Sequence, residues 1–513
     1  MRAYLSLLSN PRKSLSEEID ETRSLLGEPL TVAANALRAS GVIASDVHVF
    51  VTIDQFETLL RQSQDDRDDQ KHRRFVNLVF DLLASRNPAV SYRVGTRPNA
   101  VMKLSDAARD YAEVDLDEIL QRTESGRKKF WPFQRVAHDA FRRRIAAIET
   151  PYRDTIVSSA NAIRDVFGAS PSNHDRGNDC ASRKPERVVK LEDTWDEAVC
   201  EVLESMALED PVSAKLAEAW IRQRTARGED LSAGNWATAE HRPWETHQKR
   251  WWKKERLPQA SLQVASSNAQ RLVYYGEEDI LSLSGENILA FICICRSIWE
   301  CDARFRTEHS GDNDTTQFPF EPKQQAQGIW EASEFWHRKI PQSADGDTLQ
   351  RLVDVIGQRL NQQLISDRAM SYPGANGFSL AVDDLCGDPE IKRLLDDATA
   401  ECLLLQRAHT PKTKSRGRSI KWYPHPILAP FYGLTVPRTK EPLYVSVATL
   451  RQWLVTGSVL AADESASNKH ESEAKSSKLN PKDDQGTESA PRPSEHSTSD
   501  RQKTFRFSED HDD

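Results

Sequence analysis

Two acidic residues follow a strongly apolar run near the start of the chain. In "VHVFVTIDQFETLL", Asp54 comes directly after the apolar residues, and Glu57 follows shortly behind it. A carboxylate at the carboxyl end of a strand in an open α/β sheet stands where ligands bind, and it could hold Mg²⁺ with a bound water. Glu57 could then polarise that water for attack. The alternative is a buried strand followed by an acidic helix cap.

A second polar strand end follows in "AVSYRVGTRP", at Thr96 and Arg97. If the two strands are neighbours, these residues lie beside Asp54, and the Arg97 guanidinium could contact a terminal phosphate through two hydrogen bonds. The candidate catalytic residues are therefore Asp54, Glu57 and Arg97. Asp54, Thr96 and Arg97 are the candidate cofactor-binding residues, and Asp54 is the candidate metal ligand.

The elements that must position these residues alternate as strand, helix and strand, which is the βαβ pattern of an α/β domain. Residues 10–40 are predicted to form a helix that Gly41 ends. Residues 42–53 are predicted to form a strand buried on both faces, as in a parallel sheet. A helix in "DDRDDQKHRRFVNLVFDLLAS" leads to the second strand. Residues 1–165 are therefore predicted to form an α/β domain.

The rest of the chain is predicted to be mainly helical. Residues 166–190 are rich in Gly, Pro, Ser and Asn, which predicts a linker or flexible loop. Apolar residues at three-and-four spacing predict helices in 191–226, 277–305, 323–340 and 347–366. The segment 461–513 is polar and almost free of apolar residues, so it is predicted to be a disordered tail.

A basic turn lies between two strand-like runs near the end of the ordered part. "DPEIKRLLDDATA" predicts a helix with Asp388 at the N-cap and Pro389 at its first position. The basic turn "TPKTKSRGRS" comes after this helix. A helix followed by a hairpin with a basic tip is typical of a winged helix, so a winged-helix-like domain is predicted over 346–460. Such a tip would contact nucleic-acid phosphates, and the alternative is a solvated loop. The basic residues of this tip are Lys412, Lys414, Arg416 and Arg418.

Composition narrows the functional classes. A net charge of -9 over 513 residues argues against a protein that binds nucleic acid non-specifically over its whole surface. Local basic patches are compatible with this net charge. The 7 cysteines form no paired Cys-x-x-Cys sets, which argues against a disulfide framework and a zinc ribbon. Because no run of about 18 apolar residues occurs, the sequence predicts a soluble, cytoplasmic protein without membrane contact.

Three segments carry a resemblance to a known family. "VHVFVTIDQFE" and "SYRVGTRP" resemble the Walker B and sensor-1 strands of P-loop NTPases of the AAA+ and STAND type. "DILSLSGENILAFICICRSIW" is similar to the lid helix of origin-recognition-like AAA+ ATPases. Glu286 replaces the usual second small residue there, and no arginine follows closely enough for a sensor-2 role. The resemblance spans roughly 40–460 and implies a helical lid region at 191–345.

The resemblance implies ATP and Mg²⁺ as cofactors. It implies that Asp54 organises Mg²⁺, that Glu57 orients water and that Arg97 senses the γ-phosphate. Arg142 and Arg143 are candidates for a finger that reaches into a neighbouring subunit. The sequence contains no Gly-x-x-x-x-Gly-Lys-Ser/Thr loop to cradle the phosphates. The chain is therefore predicted to be an N-terminally truncated or degenerate relative, a partial P-loop domain that is inactive alone in ATP hydrolysis.

Two other functions stay open. The chain could be a winged-helix module that binds DNA as its partner and has lost ATPase activity. It could also be an interaction scaffold that pairs with an ATPase-competent protein or with further copies of itself. The segment "KRWWKK", residues 249–254, fits the scaffold best as an interface helix, because its tryptophans can pack while its lysines stay solvated. The alternative for this segment is stacking on nucleic-acid bases.

Overall fold

In the computed structural model of the 513-residue chain, Met1–Ser458 forms one compact unit, called the first unit. Within the first unit the structure describes residues 28–54, 56, 79, 81, 89–96, 114–120, 123–125, 128–148, 152–181, 184–231, 236, 242–246, 255–309, 318–343, 345–371, 376–409, 418–437 and 442–456. The predicted tail at 461–513 lies outside the described residues.

The first part of the described chain combines two small sheets with helices. Strands β1 and β2 pair in parallel, and β3 and β4 pair antiparallel. The elements are α1 Glu28–Ala39, β1 Val49–Ile53, β2 Val90–Val94, α2 Leu116–Leu120, β3 Thr123–Ser125, β4 Lys128–Phe130, α3 Pro132–Ala146, α4 Arg153–Ser158, α5 Ala162–Phe167 and α6 Asn173–Ala181. The parallel pairing of β1 and β2 confirms a small α/β portion at the start of the chain.

The middle part is helical, in the segments where apolar spacing predicts helices. Helix α7 ends before Asp210 because Pro211 follows, and the Asp210 carboxylate caps the next helix by accepting from Ser213 N at 3.0 Å. The helices are α7 Glu197–Glu209, α8 Pro211–Thr225, α9 Pro243–Thr246, α10 Leu257–Ser267, α11 Glu277–Leu283, α12 Ile288–His309, α13 Pro322–Arg338 and α14 Gly346–Ser366, with 3-10 turns at Pro185–Arg187 and Ile340–Gln342.

The C-terminal part is built around a four-stranded sheet in the order β6-β7-β5-β8. Strand β7 pairs antiparallel with both β5 and β6, and β8 runs parallel to β5. The elements are β5 Phe378–Ala381, α15 Val382–Cys386, α16 Pro389–Ala400, β6 Leu404–His409, β7 Ser419–Pro424, a 3-10 turn Pro426–Leu428, α17 Ala429–Tyr432, β8 Leu443–Tyr444 and α18 Val447–Thr456. The predicted cap of α16 is confirmed, because Asp388 accepts from Ile391 N at 3.1 Å.

The predicted strand over 42–53 is shorter and more exposed than expected. Its residues alternate between half-buried and exposed, and Phe50 is 45% exposed. The prediction that it is buried on both faces is wrong. Within the described part, β1 pairs with β2 alone, and the small apolar cluster beneath them comprises Ala34, Ala89 and Val90. The Arg93 guanidinium lies 3.7 Å from the Phe50 ring centroid and shields the exposed ring.

The prediction of a linker or flexible loop over 166–190 is wrong for residues 173–181, which form α6. The Ser172 hydroxyl accepts from Asp175 N at 3.1 Å and donates to the Asp175 carboxylate at 2.6 Å, so the pair caps the helix start. Gly177 lets α6 approach its neighbours closely, because a Cβ there would lie 2.4 Å from the Val212 side chain. Packing and capping outweigh the loop-like composition.

The buried residues of the described part form one large hydrophobic cluster and smaller ones. The large cluster runs from Phe133 on α3 to Trp453 on α18 and joins α11–α14 to the C-terminal sheet. A second cluster holds α7, α8 and α10 together around Trp220, Trp236 and Trp244. The domain boundary predicted at 345 stays a prediction, although residues on both sides of it share the large cluster. Across the described chain, no helix is both long and apolar enough to cross a membrane.

Candidate functional site

The parallel pairing of β1 and β2 brings two predicted site residues to one sheet edge. Ile53 lies opposite Val94, and the ladder continues because Gly95 N donates to Ile53 O at 2.8 Å. Phe56 N then donates to Gly95 O at 3.3 Å, and the Phe56 side chain is fully buried. Asp54 and Thr96, which follow these strands, therefore both lie at the carboxyl edge, where α/β sheets bind ligands, with Asp54 level with Gly95.

Helix α1 fixes the other end of this strand pair. The Arg38 guanidinium donates to Val47 O and Ala89 O, each at 3.0 Å, and so ties α1 to the residues before β1 and β2. Ala34 packs beneath the sheet with Ala89 and Val90. Because both strands are held at their start, their register at the carboxyl edge is fixed as well.

The oxygens at this edge suit a hard cation. The Asp54 carboxylate is exposed, and Gly95 leaves it room, since a Cβ at that position would lie 3.0 Å from Asp54 Oδ1. The Thr96 hydroxyl is buried and has no hydrogen-bond partner in the structure. Mg²⁺ is usually held by one or two carboxylates together with waters and substrate phosphates. These residues therefore fit one side of a Mg²⁺ site, and the described part of the chain has no group of three or more His, Cys, Asp or Glu placed to hold a metal.

Glu57 and Arg97, the other predicted catalytic residues, lie outside the described residues, so their roles stay predictions. The two finger candidates are described. Arg142 donates to Ala160 O at 2.8 Å, whereas Arg143 is 80% exposed and pairs with Asp139 at 2.8 Å. Arg143 is therefore the one of the two whose guanidinium faces solvent.

The turn between α11 and α12 lies within "DILSLSGENILAFICICRSIW", the segment that resembles a lid helix, and its role as a lid stays a prediction. Asn287 caps α12 by accepting from Leu289 N at 2.9 Å and Ala290 N at 3.1 Å. Gly285 has a φ of 58°, and a Cβ there would lie 2.9 Å from His425 Nε2. The turn therefore packs directly on the segment that follows β7, and only a glycine fits at this position.

The C-terminal hairpin carries basic residues that sequence reasoning missed. Arg407 on β6 lies directly opposite Lys421 on β7, and like charges placed so destabilise a sheet. The pKa of Lys421 is lowered, first by burial and then by the charge of Arg407. Arg418, a predicted tip residue, is exposed and directly precedes β7. Lys412, Lys414 and Arg416 lie outside the described residues.

Helix α16, which precedes this hairpin, has its charges paired within the chain. Lys392 contacts Asp396 at 2.8 Å, and Arg393 contacts Asp345 at 3.3 Å. Its N-terminal Asp388 is held by Arg451 of α18 at 2.6 Å. The cations of α16 are therefore already held by acidic partners within the chain.

Comparison with known protein families shows which family the chain belongs to. A family model described as ORC-CDC6-like matches residues 7–443. The chain belongs to the ORC-CDC6-like family. The match covers the β1–β2 edge, the α11–α12 turn and the C-terminal hairpin, and it confirms the resemblance to origin-recognition-like AAA+ ATPases. No curated protein and no solved structure matches the chain.

Proposed function

We propose that this ORC-CDC6-like chain is an ATPase-like protein whose β1–β2 edge faces Mg²⁺ and the terminal phosphate of ATP. The observation that carries the proposal is the register of β1 and β2, which sets the Asp54 carboxylate beside Gly95, the residue before Thr96. In this proposal Asp54 holds Mg²⁺ and Thr96 supplies a hydroxyl. Glu57 orients water and Arg97 contacts the γ-phosphate.

We propose further that the 513-residue chain does not hydrolyse ATP by itself. Support comes from its sequence, which contains no Gly-x-x-x-x-Gly-Lys-Ser/Thr loop whose backbone N–H groups and lysine could hold the phosphates. The test is steady-state phosphate release from ATP by the wild type and by Asp54→Asn. Both should remain at background, and turnover that Asp54→Asn abolishes would contradict the proposal.

A second proposed activity is DNA binding by a winged helix. Support comes from the element order β5, α15, α16, β6 and β7, and from the opposed cations Arg407 and Lys421 on the hairpin. A phosphate between these two side chains would relieve their repulsion. With Arg418 and the predicted tip residues Lys412, Lys414 and Arg416, they would form a surface that contacts the DNA backbone without reading its sequence.

The DNA proposal predicts a salt-dependent affinity for duplex DNA, measured by fluorescence anisotropy. The double variant Arg407→Ala/Lys421→Ala should weaken binding and reduce the salt slope by about one, since the two side chains share one phosphate and each phosphate contact contributes roughly one. The matched control Lys392→Ala/Arg393→Ala on α16 should bind like the wild type. An affinity that does not change with salt would rule the activity out.

A further inference from the structure

A cavity of about 730 Å³ lies between α6, the segment 270–275 and α13. We call it the α6–α13 cavity. Pro171, which precedes α6, lines one side of the cavity, and Pro430 of α17 lines another side. Its volume falls in the range of small-molecule sites, about 300–1,000 Å³. All of its lining residues belong to the described part of the first unit, and none of them is a predicted nucleotide or DNA residue.

The wall of the cavity is apolar and aromatic. Leu272, Ile329 and the ring of Trp330 are among the apolar groups that line it. Trp330 Nε1 is buried and has no hydrogen-bond partner in the structure. A buried N–H without a partner costs about 1–3 kcal/mol, so an acceptor placed there would be bound favourably. The wall therefore suits a flat apolar body that also carries an acceptor.

A buried cation, Arg176, also lines the cavity. Arg176 is only 5% exposed, and its guanidinium contacts Asp279 at 2.6 Å and lies 4.6 Å from the Tyr274 ring centroid. Its Nε is buried without a hydrogen-bond partner. Burial raises the pKa of Asp279, and Arg176 opposes that rise. Arg176 therefore keeps one unused donor at a site from which solvent is largely excluded.

Further cations line the cavity where it is open. Arg271 and Lys323 are both exposed, and the Arg271 guanidinium lies 5.3 Å from the Trp330 ring centroid. Asp179 is the acidic residue among the lining residues, so cations outnumber acids there. Cys180 also lines the cavity, but burial raises the pKa of its thiol to about 11, so the thiol stays protonated near neutral pH. The chemistry favours reversible binding of an anion over covalent capture.

We propose that the α6–α13 cavity binds a small aromatic anion. Its ring lies against Leu272, Ile329 and Trp330, and its anionic group faces Arg271 and Lys323. An acceptor on the ring or on the anionic group takes the Trp330 N–H bond. This site is separate from the proposed nucleotide edge at Asp54, and it adds a small-molecule ligand to the lid side of the fold.

The test uses 8-anilino-1-naphthalenesulfonate, an aromatic anion whose fluorescence reports binding, titrated into the full chain. Binding should saturate at one site. The variant Arg271→Glu/Lys323→Glu should weaken it by about tenfold or more, because both cations change sign. Trp330→Phe, which replaces the indole by a smaller aromatic ring and removes the N–H, should weaken it less but measurably. The uncharged analogue N-phenyl-1-naphthylamine should bind at least about tenfold more weakly than the sulfonate.

The matched control is Arg296→Glu/Lys392→Glu, which makes the same charge change at two exposed residues paired with Glu300 and Asp396. This control should bind the sulfonate like the wild type. Unchanged binding in Arg271→Glu/Lys323→Glu would overturn the proposal, because the probe would then sit elsewhere. Equal affinity for the uncharged analogue would overturn it as well, since no anion would be selected.

Discussion

Thr96 combines a buried hydroxyl without a partner with a place at the proposed nucleotide edge. We therefore expect Thr96→Val, which keeps the shape and removes the hydroxyl, to leave stability unchanged or raise it by up to about 1 kcal/mol. The same variant should weaken Mg²⁺-dependent nucleotide binding. Chemical denaturation and fluorescence titration measure the two effects. A loss of stability without any change in nucleotide binding would contradict a ligand-facing role for Thr96.

Asp388 joins α16 to α18 through a cap and an ion pair. Its pKa is lowered by the hydrogen bonds from Arg451 and then by the Ile391 backbone N–H. A lowered carboxyl pKa means that the ionised form is favoured in the folded state. Its contribution to stability is therefore full above the usual pKa, about 3.9, and is lost as the pH falls through the lowered value.

The pH dependence gives a direct prediction. Asp388→Asn should lower the melting temperature at pH 7 and flatten its decline below about pH 4. Arg451→Gln should have a similar effect, because it removes the main cause of the lowered pKa. Thermal melts across this pH range measure both variants. A decline as steep in Asp388→Asn as in the wild type would contradict the assignment.

The strand-end position of Asp54 could be predicted from sequence because Asp54 directly follows a β-branched run, and that of Thr96 because it comes two residues after Val94; both are local information. Arg407 and Lys421 could not be predicted, because their pairing depends on the register of β6 against β7. The meeting of Arg176 and Trp330 at one cavity could not be predicted either, because the two residues come from segments far apart in the chain. The Ser172–Asp175 cap was readable in principle, since it follows the Ser-x-x-Asp pattern of a helix start.

Helices α12 and α13 pack unusually closely at Gly328. A Cβ at this position would lie 2.5 Å from Ile298 Cα, and that backbone cannot move aside cheaply. Gly328→Ala should therefore destabilise the fold by roughly 1–3 kcal/mol despite a gain in helix propensity of about 1 kcal/mol. Denaturant unfolding measures the change.

The matched control for that variant is Gly387→Ala. A Cβ at 387 would meet its nearest atom, Asp384 O, at 3.4 Å, which is ordinary contact, and the backbone there is right-handed. This control should change stability by less than about 0.5 kcal/mol. If Gly328→Ala proved as mild as Gly387→Ala, the close approach of α12 and α13 would be contradicted.

At the scale of elements, periodicity predicted most of the helices because their apolar stripes are long. It did not predict where they break. The turn at Gly285 and Glu286 interrupts the expected helix over 277–305, since both residues adopt positive φ to bring α11 and α12 onto the segment after β7. Such breaks depend on tertiary packing, which a single sequence does not display.

At the scale of the whole molecule, family membership over residues 7–443 fits the order seen in sequence and structure. A strand pair with an acidic edge comes first, the capped turn between α11 and α12 follows, and a helix with a basic hairpin comes last. The large hydrophobic cluster joins the α11–α12 turn to the hairpin sheet. These two elements are therefore packed into one core.

The measurement that tests the central claim most directly is binding of a fluorescent N-methylanthraniloyl derivative of ATP to the full chain, with Mg²⁺ and with EDTA. We expect binding that depends on Mg²⁺ and that Asp54→Asn weakens by about tenfold or more. Asp46→Asn, the same change at an exposed residue before β1, should leave it unaltered. Equal binding in the presence of EDTA, or an Asp54→Asn variant that binds like the wild type, would contradict a Mg²⁺-nucleotide edge at Asp54.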